Sequence, residues 1–227
     1  MYIPQADIVY RPSEELERMM MFGAAPKKAM VALGSLSLAP SITDVEMRLK
    51  EVYIINNRDP GKGDIYLVTV ATDSLAPEPF TLEIKSFEDI PDKSALQLGP
   101  GGLTIYRNPQ GNVPRFLDYR ILVMESDHDI RKAGEVLDEI RNTDQFTTVR
   151  DNLIAMAATG QPTVTLVTAA SDLVLGLIAQ ILKMDRDDQI IYIVGSFNDK
   201  IDDLGTPYGL IAHKNNYARV AYQVLAA

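Results

Sequence analysis

The chain has 227 residues, 46% of them hydrophobic, and its 31 acidic and 22 basic side chains give a net charge of −9. That length is enough to bury a substantial core in one large domain. Cysteine is absent, which excludes disulfides, thiolate metal sites, thiol nucleophiles and iron–sulfur ligation. The acidic balance, with basic residues scattered along the chain, argues against nucleic acid and anionic lipid as partners.

Met1 to Asp7 contains no basic region leading into an apolar core, so no secretory signal is expected. No apolar run approaches the ~20 residues of a bilayer span. The reading is of a soluble protein, cytoplasmic or part of a virion or other assembly. Residues 1–28 form an N-terminal arm, in which Pro12 to Phe22 is a short helix with Ser13 as N-cap and Glu14 and Glu15 in the first turn. Its apolar end, Met19 to Phe22, either docks on the body of the same chain or grips a neighbouring subunit.

Residues 29–227 read as a single β-sandwich domain. Apolar positions recur at every second residue in short runs, placing strands at about Met30–Leu38, Val45–Asn56, Asp64–Ala71, Phe80–Lys85, Gly102–Tyr106 and Phe116–Glu125. Between them, Asp59 to Asp64, Ala76 to Pro79, Gly99 to Gly102 and Asn108 to Asn112 carry the Gly, Pro, Asn and Asp residues that turns require.

After Asp127 the period changes. Ile130, Ala133, Val136, Leu137 and Ile140 lie at helical spacing within Asp129–Arg141, a second helix is expected over Asp144–Ala158 with Thr143 as N-cap, and a third over Ser171–Lys183. Pro162 to Thr168 is open between strand and helix. Strands return at Gln189–Phe197, Tyr208–His213 and Ala218–Leu225. The expected class is α+β: an antiparallel β-sandwich core with an inserted helical layer at about residues 129–183.

The strongest chemical signal is acidic. Asp185, Asp187 and Asp188 precede the apolar run Ile190 to Val194, and Asn198, Asp199, Asp202 and Asp203 follow it; Asp59 with Asp64, and Asp127 with Asp129, form two further acidic segments. Calcium takes six to eight oxygens from such carboxylates and carbonyls, and Asp-x-Asp puts two carboxylates on one side of an extended turn. The candidate metal ligands are therefore Asp59, Asp64, Asp127, Asp129, Asp185, Asp187, Asp188, Asn198 and Asp199, with calcium as the ion. The competing reading is that these residues cap helices and hold turns.

An EF-hand does not fit, because Ile190 stands where that loop needs glycine and Ser196 where it needs a bidentate glutamate. Gly63 to Val68, Val123 to Asp129 and Asp185 to Asp188 each join a strand to an acidic loop, and in this the chain resembles a C2-like calcium-binding β-sandwich over parts of residues 45–225. The resemblance implies calcium held between acidic loops at one end of the sandwich. The chain departs from that family by inserting helices between Asp129 and Lys183. It also lacks the basic strand that many members turn toward lipid, which argues against membrane docking.

Gly61-Lys62-Gly63 lacks the remainder of a phosphate loop, and Gly99 to Gly102 lacks the strand-to-helix setting of a dinucleotide site. Of the two histidines, His128 reads as an exposed loop residue, and His213 ends an apolar run before the turn Lys214-Asn215-Asn216. No Gly-x-Ser-x-Gly or His-Glu-x-x-His occurs. The leading expectation is a noncatalytic calcium-binding interaction module with a protein partner or self-assembly. The alternatives are a structural subunit using its N-terminal arm and, last, a metal- or carboxylate-dependent hydrolase.

Overall fold

In β1 (Val45–Ile54), Val45, Met47 and Leu49 are buried, but so are Val52 and Ile54, so the inward parity changes within one strand. A bulge at Lys50 is the cause: Leu49 pairs with Tyr222 and Glu51 with Ala221, leaving Lys50 as the extra residue that returns the apolar positions to the core. The computed structural model describes residues 44–73, 80–107, 113–126, 132–158, 176 and 189–226. Its remaining strands are β2 (Lys62–Asp73), β3 (Phe80–Pro91), β4 (Ser94–Ala95), β5 (Leu103–Arg107), β6 (Phe116–Ser126), β7 (Gln189–Asn198), β8 (Leu210–Lys214) and β9 (Ala218–Ala226).

Among the described residues the strand pairings are all antiparallel, in two sheets. In the first, β1 pairs with β9, and β9 with β8; β4 and β5 pair end to end along the other edge of β1. The turn between β4 and β5 depends on Gly102, at φ +89, where a Cβ would overlap the Leu49 carbonyl. The second sheet has the order β3-β2-β6-β7. Its inner face, with Ile65, Leu67, Leu117, Ile121, Val123 and Ile193, packs on Met47, Leu49, Ile105, Val220 and Val224 of the first sheet.

The outer face of the second sheet is also dry. Tyr66, Val68, Val70, Leu82, Ile84, Leu122 and Met124 lie there against Val136 and Ile140 of helix α1 (Ala133–Arg141) and Phe146 and Val149 of helix α2 (Asp144–Ala158). Burial on both faces is why β2 and β6 are almost continuously apolar rather than alternating. Thr143 Oγ1 accepts the Phe146 N–H at the start of α2 (3.2 Å). The outer face of the first sheet is wet and charged, with Glu46 bonded to Arg48 and Thr104, and Glu51 to Arg219.

Two antiparallel sheets face to face are the expected sandwich core. Several boundaries differ from the sequence reading. β2 and β3 run further than expected, since Lys62 pairs with Pro91 and Gly63 with Ile90 beyond the apolar stretches. Tyr208 is not in a strand: it ends the 3-10 turn Asp203–Tyr208 that links β7 to β8. Strand β4 went unrecognised because two residues carry no period. Of the expected helical layer, α1 and α2 are described; α1 starts at Ala133, with Lys132 at its N-cap position. Pro12–Phe22, Met30–Leu38, Pro162–Thr168, Ser171–Lys183 apart from Gly176, and His128 lie outside the described residues. No described helix is long and apolar enough to cross a membrane.

Candidate functional site

The loop from Ile55 to Gly61 is built around Asn57, which is fully buried. Its Nδ2 donates to the Gly61 and Ile90 carbonyls (3.2 and 2.8 Å), its Oδ1 accepts the Asp59 N–H (3.1 Å), and its own N–H donates to Asp92 Oδ1 (2.8 Å). Those bonds fix the loop against the end of β3. Arg58, at φ 77, reaches across to donate from Nη1 to the Gln189 carbonyl (3.2 Å), and its guanidinium lies over the Tyr217 ring. Asn215 Nδ2 donates to the Ile190 carbonyl (2.7 Å), tying the β8–β9 turn to the same place.

The start of β7 therefore meets the Asn57 loop at one rim. The end of β6 is there too, because Ser126 pairs with Asp64 and Met124 with Gln189. Asp64 Oδ1 accepts the Asp89 N–H (2.9 Å), while the carboxylate of Glu125 is buried beneath Gly63 and Asn57. This rim thus gathers Asp59, Asp64, Asp89 and Asp92, all oxygen donors of the hard kind that calcium and magnesium prefer. Among the described residues no three carboxylates or histidines stand close enough to hold an ion by themselves.

Of the nine expected ligands, Asp59 and Asp64 are at this rim. Asp127, Asp129, Asp185, Asp187 and Asp188 lie outside the described residues; Ser126 and Gln189, the strand ends nearest them in sequence, belong to the rim. Asn198 and Asp199 do not join the set. Asn198 pairs with Phe116, at the far end of the 11-residue strand β6 from Ser126, roughly 33 Å away at the rise of a strand. There they serve a turn: Asn198 N–H donates to Asp202 Oδ1 (2.7 Å), Lys200 N–H to Asn198 Oδ1 (2.8 Å), and Lys200 Nζ lies 3.6 Å from Asp199 Oδ2. The separation from Asp59 and Asp64 has a simple cause: β7 is ten residues long, with Gln189 at the rim and Asn198 at its other end.

Sequence reasoning missed a second set of polar groups, between the sheets. Tyr119 of β6 and Tyr222 of β9 share a hydrogen bond (2.6 Å), and Tyr222 Oη lies 2.9 Å from Nε2 of the half-buried His213 on β8. Tyr119 stacks on Phe197, His213 on Tyr222, and only glycine fits at position 195, where a Cβ would overlap the Tyr119 hydroxyl. Burial raises the pKa of Tyr119 well above the usual range and pushes Tyr222 up to about 12. Burial alone lowers that of His213. Asp202, next to the relay, is raised chiefly by burial, against the opposing effect of backbone N–H donors from Asn198 and Leu204.

Elsewhere Tyr106 of the first sheet donates to the buried Asp73 of the second (2.5 Å), and Arg120 pairs with Asp118 (2.7 Å) with both side chains buried. Such groups could be found in the sequence only as polar letters inside apolar strands; which partner each one meets across the sandwich is a tertiary matter. No protein-family model matches the chain, and no curated protein matches it in sequence.

Proposed function

We propose that this chain is a noncatalytic calcium-binding interaction module of the C2-like kind, with its ion at the rim formed by the Asn57 loop, Asp64 and the adjoining ends of β6 and β7. One observation supports the reading most. The strand ends that adjoin three separate acidic segments of the sequence meet at that rim, on a scaffold braced by the buried Asn57. Asp59, Asp64, Asp89 and Asp92 bring negative charge to that one rim, where Lys62 lies 3.9 Å from Asp89, and a divalent cation would be favoured by that charge, with backbone carbonyls completing its oxygen shell. The buried titratable groups between the sheets are bonded to one another, which suits a structural role better than turnover.

Calcium binding stabilises the folded state by RT ln(1 + [L]/Kd), about 2.7 kcal/mol at a hundredfold excess over Kd. For a chain of this size that raises the melting temperature by about 5–10 °C, and EDTA should reverse it. An unchanged melting temperature at millimolar calcium sinks the reading.

Contact with a protein partner is assigned to β8. Among the described residues β8 has β9 as its single neighbour, and Leu210 is 61% exposed on it, so its edge can extend a sheet. If the full chain self-associates, Leu210→Asp should shift it toward monomer by light scattering. An oligomer indifferent to that change places the contact elsewhere.

A further inference from the structure

We infer that His213 is an acid-sensitive tie holding β8 to the sandwich, released when its imidazole gains a proton. The inference does not depend on calcium.

Its basis is the count of protons in the relay. Three groups, His213, Tyr222 and Tyr119, form two hydrogen bonds in a line. With a neutral imidazole accepting at Nε2, Tyr222 donates to His213 and Tyr119 donates to Tyr222, and both hydroxyl protons are used. A protonated imidazole has no acceptor. It must donate to Tyr222, which turns to donate to Tyr119, and the Tyr119 proton is then left over. Its hydroxyl lies against Gly195, and among the described residues Tyr222 is its one hydrogen-bond partner. Protonation therefore leaves one donor unsatisfied in the core as well as placing a charge there, and both costs fall on the contact between β8 and its neighbours.

Among the described residues no surrounding charge offsets this. Tyr222 of β9 and Tyr119 of β6 are neutral, Val220 opposite His213 is apolar, and Lys214 next along β8 is exposed. Asp202 and Asp203 of the β7–β8 connection act on Tyr208, and Asp202 on Tyr119, but burial is the one influence resolved on the imidazole. As a five-residue edge strand bonded on one side, β8 also has little else to hold it.

The sign follows. A histidine whose folded midpoint lies below its unfolded value of 6.5 contributes fully above that pH and progressively less as pH falls through the folded midpoint. The test is carried out on the full chain in EDTA, so its outcome is separate from that of the calcium experiment. NMR follows the His213 ring protons, assigned with His128→Gln, while hydrogen exchange of β8 amides, normalised to intrinsic rates, is compared with that of β1 at pH 7.5 and 5. The expected results are a midpoint below 6.5, a rise toward 6.5 in Tyr222→Phe, and a selective loss of β8 protection. That loss should be about tenfold for the first unit by which the midpoint is lowered and level off at roughly thirtyfold at pH 5. A wild-type midpoint at or above 6.5, or β8 protection that follows β1 at both pH values, overturns the inference without recourse to any variant of the relay.

Discussion

Tyr222 and Tyr119 show how a single buried hydroxyl becomes a stability term. Their pKa values rise because a phenolate between two sheets would lose its hydration; the Tyr222 hydroxyl adds to the rise at Tyr119, whereas the bond from Tyr119 opposes it at Tyr222. An acid whose folded pKa is raised stabilises the fold fully below its unfolded value, near 10, and loses that contribution as pH climbs through the folded value. Thermal melts should therefore be flat toward pH 9.5 and fall between pH 10 and 12, by something of the order of 2–3 kcal/mol for Tyr222 alone. Tyr222→Phe should remove much of that slope; equal alkaline slopes in the two proteins would refute the assignment. At this scale the sequence was least legible. Asn56 and Asn57 are adjacent turn residues, and nothing in the letters says that the second is the buried one. His213 reads as a strand end, which it nearly is, but its partner is nine residues away across a hairpin.

Strand β1 displays the opposite case, in which the letters were almost sufficient. Val45-Glu46-Met47-Arg48-Leu49 alternates, then Lys50-Glu51 breaks the count before Val52-Tyr53-Ile54 resumes it. The bulge absorbs one residue and keeps every apolar side chain inward. Deleting Lys50 should leave a regular alternation and a folded protein, whereas deleting Arg48 turns Val45 and Met47 outward and Glu46 inward. Circular dichroism and urea unfolding of the two deletions should separate a near-native protein from an unfolded one, and similar behaviour of both would mean the bulge does not set the register. Helix α1 was legible through Val136 and Ile140, its buried face. The acids around β7 were not: proximity in sequence suggested one cluster, but a strand extends and so holds its ends, Gln189 and Asn198, apart by its own length.

Over the molecule as a whole, three layers account for the burial pattern: a first sheet wet on its outer side, a second sheet dry on both sides, and helices over the second. The same arrangement makes the two rims unequal. One carries the Asn57 loop, Asp64 and the ends of β6 and β7; the other carries Asn198, Asp199 and Asp202 bonded into a turn. Asp64→Asn should accordingly reduce the calcium-induced rise in melting temperature, and Asp199→Asn should leave it intact. The reverse order would move the ion to the opposite rim.

Composition and periodicity by themselves determined the strand-rich class, most strand positions and the absence of thiol chemistry, because burial on one face imposes a period of two that any chain records. They also marked which loops are acidic. Which of those loops share a rim, which face of the second sheet is covered, and that Tyr119, Tyr222 and His213 form one line were decided only by tertiary structure. Such contacts join residues distant along the chain, and an antiparallel register, once set, both unites and separates them.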